Sequence, residues 1–325
     1  MNNLPVNVFN NEYVQSNINP IKREVEYKNI HFNTKFRKNY YNTSSTNFHY
    51  ELPEPCNNVV SMKLSSICVP TSFYLFSEEK GNNRFILEDI SGGTVQDQYE
   101  IIIPDGSYSA SELETYLNNS YFYNSGATTF LQYIYFSINP YSNKTVFDIS
   151  GAPAGGEWHN QVSLKFVNNK KTCNIMDTAG WILGFRYGQY LNIFGTGTLD
   201  GVDVSRNSTG FTSEGIYNPG ENCEFFFCLD DYNKNVNNSN VVFFQDSTMR
   251  NDVLAKLKLI NGAFSIDINN QLDDGYNHTK TRKYFGPVDI RKIHVRILDQ
   301  YGNQVDLNNM DFSFSLELTQ LYNNI

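Results

Sequence analysis

Alanine is what this chain most lacks, with 7 in 325 positions, although it normally ranks among the commonest residues. The best helix former is almost missing, which excludes a bundle of packed helices. Cysteine is scarce too: five residues, Cys56, Cys68, Cys173, Cys223 and Cys228. The count is odd and no pair has CxxC spacing, so neither a disulfide frame nor a thiolate zinc site is indicated; they read as buried thiols in a reducing compartment. Cationic charge is short as well. With 25 Lys and Arg against 34 Asp and Glu, the net charge is −9, the wrong sign for neutralising phosphates, so no direct nucleic-acid contact is expected. No run reaches the roughly eighteen apolar residues of a membrane helix, and the polar, Asn-rich start does not read as a secretory leader.

Asparagine and aromatics stand in their place: 44 Asn, 24 Phe and 22 Tyr. Asn suits turns and Phe and Tyr suit half-buried strands, so the composition favours sheets joined by long loops. An AT-rich genome would skew composition the same way. At 325 residues the chain can bury a sizeable core.

The apolar rhythm has a period of two. Phe48, Tyr50 and Leu52 alternate with His49 and Glu51; after Pro53 and Pro55, Val60, Met62 and Leu64 alternate with Ser61 and Lys63. Strands are predicted at Arg84–Leu87 and across Tyr99, Ile101 and Ile103, then one helix behind the capping box Ser109–Glu112. Phe130–Ile138 reads as a strand buried on both faces, and 174–185 as a short helix or turn packing Trp181 onto the core. Residues 200–220, rich in Gly, Ser, Thr and Asn, read as a long surface loop.

Strand patterning resumes at Glu224–Leu229 and at Val241–Phe244, followed by Ala255, Leu257 and Leu259, and by Phe264, Ile266 and Ile268. The last forty residues organise the whole. Ile293, Val295 and Ile297 form one arm and Phe312, Phe314, Leu316 and Leu318 a second, read as antiparallel neighbours around a Gly-containing link. With about fifteen candidate strands, the count exceeds the roughly seven to nine of one ordinary sandwich. The expected fold is mainly β: a jelly-roll-like antiparallel β-sandwich with a large insertion or second β lobe and one or two short helices. The expected boundaries are an extended N-terminal arm at 1–45 and a sandwich at 46–325. The sandwich takes its strands from 46–104 and 221–325, around an insertion or second lobe at 105–220.

A search for chemistry finds none at motif level, and no catalytic residue, cofactor or metal is expected. The five histidines, His31, His49, His159, His278 and His294, have no second ligand at metal spacing in the sequence. Asp231–Asn235 imitates the start of a calcium loop, but Val236 stands at the glycine position and Val242 where the bidentate Glu belongs. Gly151–Gly156 lacks the lysine and spacing of a phosphate loop. A carbohydrate-active β-sandwich would need two facing carboxylates, and Asp230 with Asp231 instead reads as a turn. The chain is not read as an enzyme. What remains is surface: a basic stretch with Lys22, Arg23, Lys28, Lys35, Arg37 and Lys38 against Glu12, Glu24 and Glu26. It is a candidate partner-contact arm on an acidic body, the plainer reading being a solvated leader.

Several segments carry a resemblance. They are Phe36-Arg37-Lys38-Asn39-Tyr40-Tyr41 leading into Thr43–Phe48, Asn58–Leu64, and Ile103–Tyr108 before the helix. The fullest is Tyr284–Ile290 with Leu298–Gly302 and Asp306–Phe314. Across about 36–320, with little in the middle third, the chain resembles minor capsid and penton-type structural proteins of nucleocytoplasmic large DNA viruses, the giant viruses of algae and protists. The resemblance implies a virion structural protein that packs against the major capsid shell, assembled in the host cytoplasm. Its partners would be other capsid proteins, with self-association and contact with an internal viral membrane left open. The alternative is a vertex spike or fibre that binds a host receptor or glycan through loops around 150–220. The matching motifs are turns and strand edges, so no binding residue is carried over.

Overall fold

The structure is a computed structural model. It describes residues 24–126, 129–149, 161–170, 174–194, 196–199, 202–205, 210–219, 224–234, 236–237, 241–244, 249–260, 263–266 and 281–322. The chain divides into two compact units, one built from 1–72 and 224–325, the other from 73–223.

The first unit opens with β1 (Glu24–Asn33) and β2 (Asn47–Cys68). The second unit holds β3 (Arg84–Ser91), β4 (Thr94–Ile102), the helix α1 (Ala110–Ser120), β5 (Tyr135–Ile138), β6 (Thr145–Asp148) and β7 (Gln161–Phe166). After these come the short helix α2 (Ala179–Ile182), β8 (Gln189–Tyr190), β9 (Thr196–Leu199), β10 (Val202–Ser205) and β11 (Gly210–Thr212). The chain then returns to the first unit through β12 (Glu224–Asp230), β13 (Val236–Asn237), β14 (Val242–Phe243), β15 (Met249–Arg250) and β16 (Val253–Ile260). It finishes with β17 (Ala263–Ile266), β18 (Arg282–Leu298) and β19 (Ser313–Tyr322). The chain is mainly β, and its strand pairings are antiparallel among the described residues, in keeping with a jelly-roll-like sandwich.

In the first unit the main sheet runs β1-β19-β2-β18-β12-β16-β17. First strand pairs with last and second with second-last, a nested order that interleaves the two ends of the chain. Phe227 on β12 and Phe314 on β19 lie three places apart in that sheet, yet their rings approach to 5.0 Å. Contact between β17 and β2 agrees with this: the sheet curls over a core of Phe48, Val59, Met62, Leu64, Phe227, Leu257, Val295 and Leu316. Burying those apolar faces is what holds the curl closed.

Three expectations need correction here. The two C-terminal arms are not neighbours, because β2 lies between β18 and β19. Their link, residues 299–312, is long enough to step over a strand. It is pinned by Asp299, whose Oδ1 accepts from the amides of Tyr301 and Asn303, both at 2.9 Å. Next, the two strands predicted on either side of Pro53 and Pro55 are one strand, β2. Between the pairs Lys292–Glu51 and Ile290–Cys56 the register shifts, so the prolines fall where the ladder is already interrupted and needs no N–H from them. Finally, residues 24–45 are not an arm: β1 pairs with β19 over its whole length, from Glu24–Tyr322 to Asn33–Ser313. Residues 1–23 lie outside the described residues.

The second unit is a two-layer β body whose start, Phe73, takes in β3 and β4, strands expected in the first sandwich. A six-stranded sheet, β10-β9-β8-β7-β3-β4, faces a three-stranded one, β11-β6-β5. Aromatic rings fill the space between them: Phe147 on β6 makes edge contacts with Phe85, Phe122 and Phe136 at 6.0, 6.1 and 5.3 Å. Such edge-to-face pairs add to the area they bury. The predicted capping box starts α1, with Ser109 N donating to Glu112 Oε2 at 2.8 Å, and its Leu113 and Leu117 are fully buried.

Three local readings are also revised. Residues 130–133 form a turn of 3-10 helix and leave only β5 as strand. Trp181 is half-buried beneath the Arg186 guanidinium, 4.0 Å from its ring, and Ile182 and Leu183 do the packing expected of it. The stretch 200–220 contains β10 and β11. The alternation of Phe264, Ile266 and Ile268 is described only as far as β17, since Ile268 lies outside the described residues.

Candidate partner-contact surface

Of the six basic residues singled out, Lys22 and Arg23 lie outside the described residues. Lys28 is exposed on β1, and Lys35 and Lys38 are exposed on the turns that follow. Lys38 stands 3.5 Å from Glu51, both side chains largely in solvent. Arg37 departs from the expectation: it is buried and engaged within the fold. Its Nη1 donates to Asp311 Oδ1 at 2.6 Å and to the Thr34 carbonyl at 2.9 Å. Nε donates to the Thr43 carbonyl and Nη2 to the Tyr40 carbonyl, each at 3.2 Å, while the guanidinium lies 4.0 Å over the Tyr40 ring.

Asp311 is satisfied from several sides, accepting from Thr34 Oγ1 at 2.8 Å and Tyr40 Oη at 3.0 Å as well as from Arg37. Burial alone would raise its pKa. The hydrogen bonds from Thr34, Tyr40 and Arg37, with the Arg37 charge, outweigh burial and hold the carboxyl below its ordinary value. The result is a fixed platform. Around it Phe36 is 78% exposed, Tyr41 96% and Met310 50%. Large apolar side chains thus stand in solvent beside the exposed Lys35 and Lys38, a grouping that a monomer's surface does not require.

No direct sign of this arrangement is legible in the residues alone, because one basic residue in a basic run looks like its neighbours. Two signals were available. Arg37 and Asp311 each fall inside a segment that carries the resemblance, and Asn39, Asn308 and Asn309 all adopt positive φ, at 57°, 51° and 59°, marking tight turns on both sides of the platform.

Asp231, the first position of the calcium-like run, is also committed internally. It accepts from the Tyr284 hydroxyl and lies 3.4 Å from Arg282 Nη1, both carrying side chains being buried. Burial, then the Asp231 charge, drives the Tyr284 phenol far above its usual range. Among the described residues no group of three or more His, Cys, Asp or Glu is gathered as a metal cage, and no helix is long and apolar enough to cross a membrane. His159, His278, Cys173, Cys223 and the 151–156 loop lie outside the described residues. His49 and His294, unremarkable in the sequence, are brought together directly across β2 and β18.

Fold and surface together define the class: a mainly β protein of two units, with strand pairings antiparallel among the described residues, in which exposed aromatic and basic side chains surround a buried Arg37–Asp311 pair. No family model matches the chain, and no curated protein sequence is similar to it. Among solved structures, a crystal structure of selenomethionine-labelled mavirus penton protein is similar at 10% identity and a TM-score of 0.39, over 91% of this chain and 99% of that one. A likeness of that size leaves function to be argued from this chain's own residues.

Proposed function

We propose that this chain is a structural virion protein, a minor capsid or penton-type vertex component that packs against the major capsid shell and acts by being bound, with no turnover of substrate. One observation carries the reading. Segments 36–41 and 306–314, both part of the resemblance to penton-type proteins, close on each other through the buried Arg37–Asp311 pair and leave Phe36, Tyr41 and Met310 exposed. Its partners are then capsid proteins that offer an acidic, apolar face to Lys35, Lys38 and those three side chains. Its location is the virion.

The test changes the surface and spares the platform. Deleting residues 1–40 would remove β1 and Arg37, so failed assembly would mean only failed folding. The variant Phe36→Ser/Tyr41→Ser/Lys35→Glu/Lys38→Glu should keep the parent's thermal transition and circular dichroism while its incorporation into particles falls at least about tenfold, the loss of one good contact cluster. Normal incorporation with lost host attachment would favour the spike reading instead. Normal incorporation and normal attachment would overturn the surface assignment.

A further inference from the structure

The solvent-facing side of the β2–β18 seam carries a constellation that the shell-packing role does not use. His49 on β2 and His294 on β18 are cross-strand partners. Their rings stack with centroids 4.0 Å apart at 19°. His294 Nε2 donates to Asn47 Oδ1 at 2.8 Å, which leaves Nδ1 as its unprotonated nitrogen when the ring is neutral. His49 Nδ1 lies 2.8 Å from the hydroxyl of Tyr232, whose ring lies roughly parallel to it at 6.5 Å and 23°.

Tyr232 is itself strained. Its φ is +63°, and it is the one residue other than Asn among the described non-glycine residues at positive φ. An aromatic side chain rarely adopts that conformation unless its surroundings impose it. Here the restraints are the His49 contact, the Lys292 ammonium 4.2 Å from the phenol ring, and its own amide bonded to Asp230 Oδ1 at 2.8 Å.

We propose that the stacked His49–His294 pair is an acid-sensitive latch: at neutral pH it holds Tyr232 and residues 230–234 against the seam, and on taking up protons it releases them. The charged groups around the pair set the outcome. From β2 comes Glu51, in register with Lys292 of β18; from β18 come Lys292 and Arg296; from β12 comes Asp230, in register with His294. Asp252, from the stretch before β16, is bonded to Arg296. Asp231 faces away, committed to Arg282 and Tyr284, and Lys234 ends the segment.

One charged ring can stack on a neutral one, but two imidazolium rings at 4.0 Å beside Arg296 and Lys292 repel each other, which favours their separation. Burial first, then His49 and Arg296, lower the His294 pKa against a smaller opposing pull from Asp230 and Asp252. A histidine with a lowered folded-state pKa stabilises above the ordinary imidazole value. That contribution is lost as pH falls below the ordinary value and through the lowered one. Once the rings part, Tyr232 loses its anchor and its backbone can relax to negative φ.

Hydrogen–deuterium exchange of the whole chain tests this, with residues 230–234 read against β19 in the same molecule and corrected for the intrinsic pH dependence of exchange. Between about pH 7.5 and about pH 5, protection of 230–234 should fall at least about tenfold while β19 keeps its own. His294→Asn should retain that protection at the acid end, and Tyr232→Gly should remove the pH dependence by removing both the strain and the anchor. Histidine NMR on the unaltered chain supplies a readout that needs no variant, with His294 titrating below the ordinary value and coupled to His49. Independent, ordinary titration of both rings, or protection of 230–234 that stays level with pH, overturns the latch.

Discussion

Arg37 and Asp311 show how much one residue pair can hold. Their side chains are 5% and 7% exposed, so the guanidinium and carboxylate have left water and depend on each other and on Thr34, Tyr40 and Thr43. Arg37→Ala would strand a buried carboxylate and should lower unfolding free energy by about 3–5 kcal/mol, measured by urea titration. Arg37→Lys keeps the charge but not the planar fork of donors, and should recover only part of the loss. The pair also sets a pH limb. Because the Asp311 carboxyl is held below its ordinary value, its contribution is complete above that ordinary value and is lost as pH falls through the lowered one. Asp311→Asn should flatten the acid side of a stability–pH profile and lower its plateau.

At the scale of elements, glycine shows what a turn requires. Gly184 follows α2 with φ +92°, and a Cβ there would lie 2.5 Å from the Gly215 carbonyl oxygen. Both the backbone conformation and the space exclude a side chain. Gly184→Ala should destabilise the second unit by at least about 1–3 kcal/mol, the range for one strained residue, visible as a lower midpoint in thermal unfolding.

Elements were also where sequence reading succeeded and failed in instructive ways. Strand patterning marked β2, β3, β12, β16, β18 and β19, because each buries one face or both. The Ser109–Glu112 box found α1 because capping is local chemistry. Which strand lies beside which was not legible. The placement of β2 between β18 and β19 depends on pairings more than two hundred residues apart, and neither arm's pattern names its partner. The buried Arg37–Asp311 pair was hidden for the same reason: the basic run was visible, but the partner that removes Arg37 from the surface stands 274 residues away. Asparagine was legible as turn chemistry, and six of the seven described non-glycine residues at positive φ are Asn.

For the molecule as a whole, charge and core divide by unit. Residues 73–223 carry 8 Lys and Arg against 16 Asp and Glu, while the rest of the chain carries 17 against 18, so the acidity expected of the body belongs almost entirely to the second unit. That unit also owns a complete core, with buried members running from Leu75 to Tyr217. A fragment of residues 73–223 should therefore fold by itself in one cooperative transition, checked by coincident circular dichroism and tryptophan fluorescence melts.

The nested order of the main sheet sets a timetable for synthesis. β1 and β2 leave the ribosome before the strand that joins them, β19, with the whole of 73–223 translated in between. The middle of the chain can finish folding while the earliest strands still wait with open edges, exposed to chaperones or to stray pairing with a neighbouring nascent chain. Fusing a folding reporter after residue 223 and another after β19 would separate the two events in time.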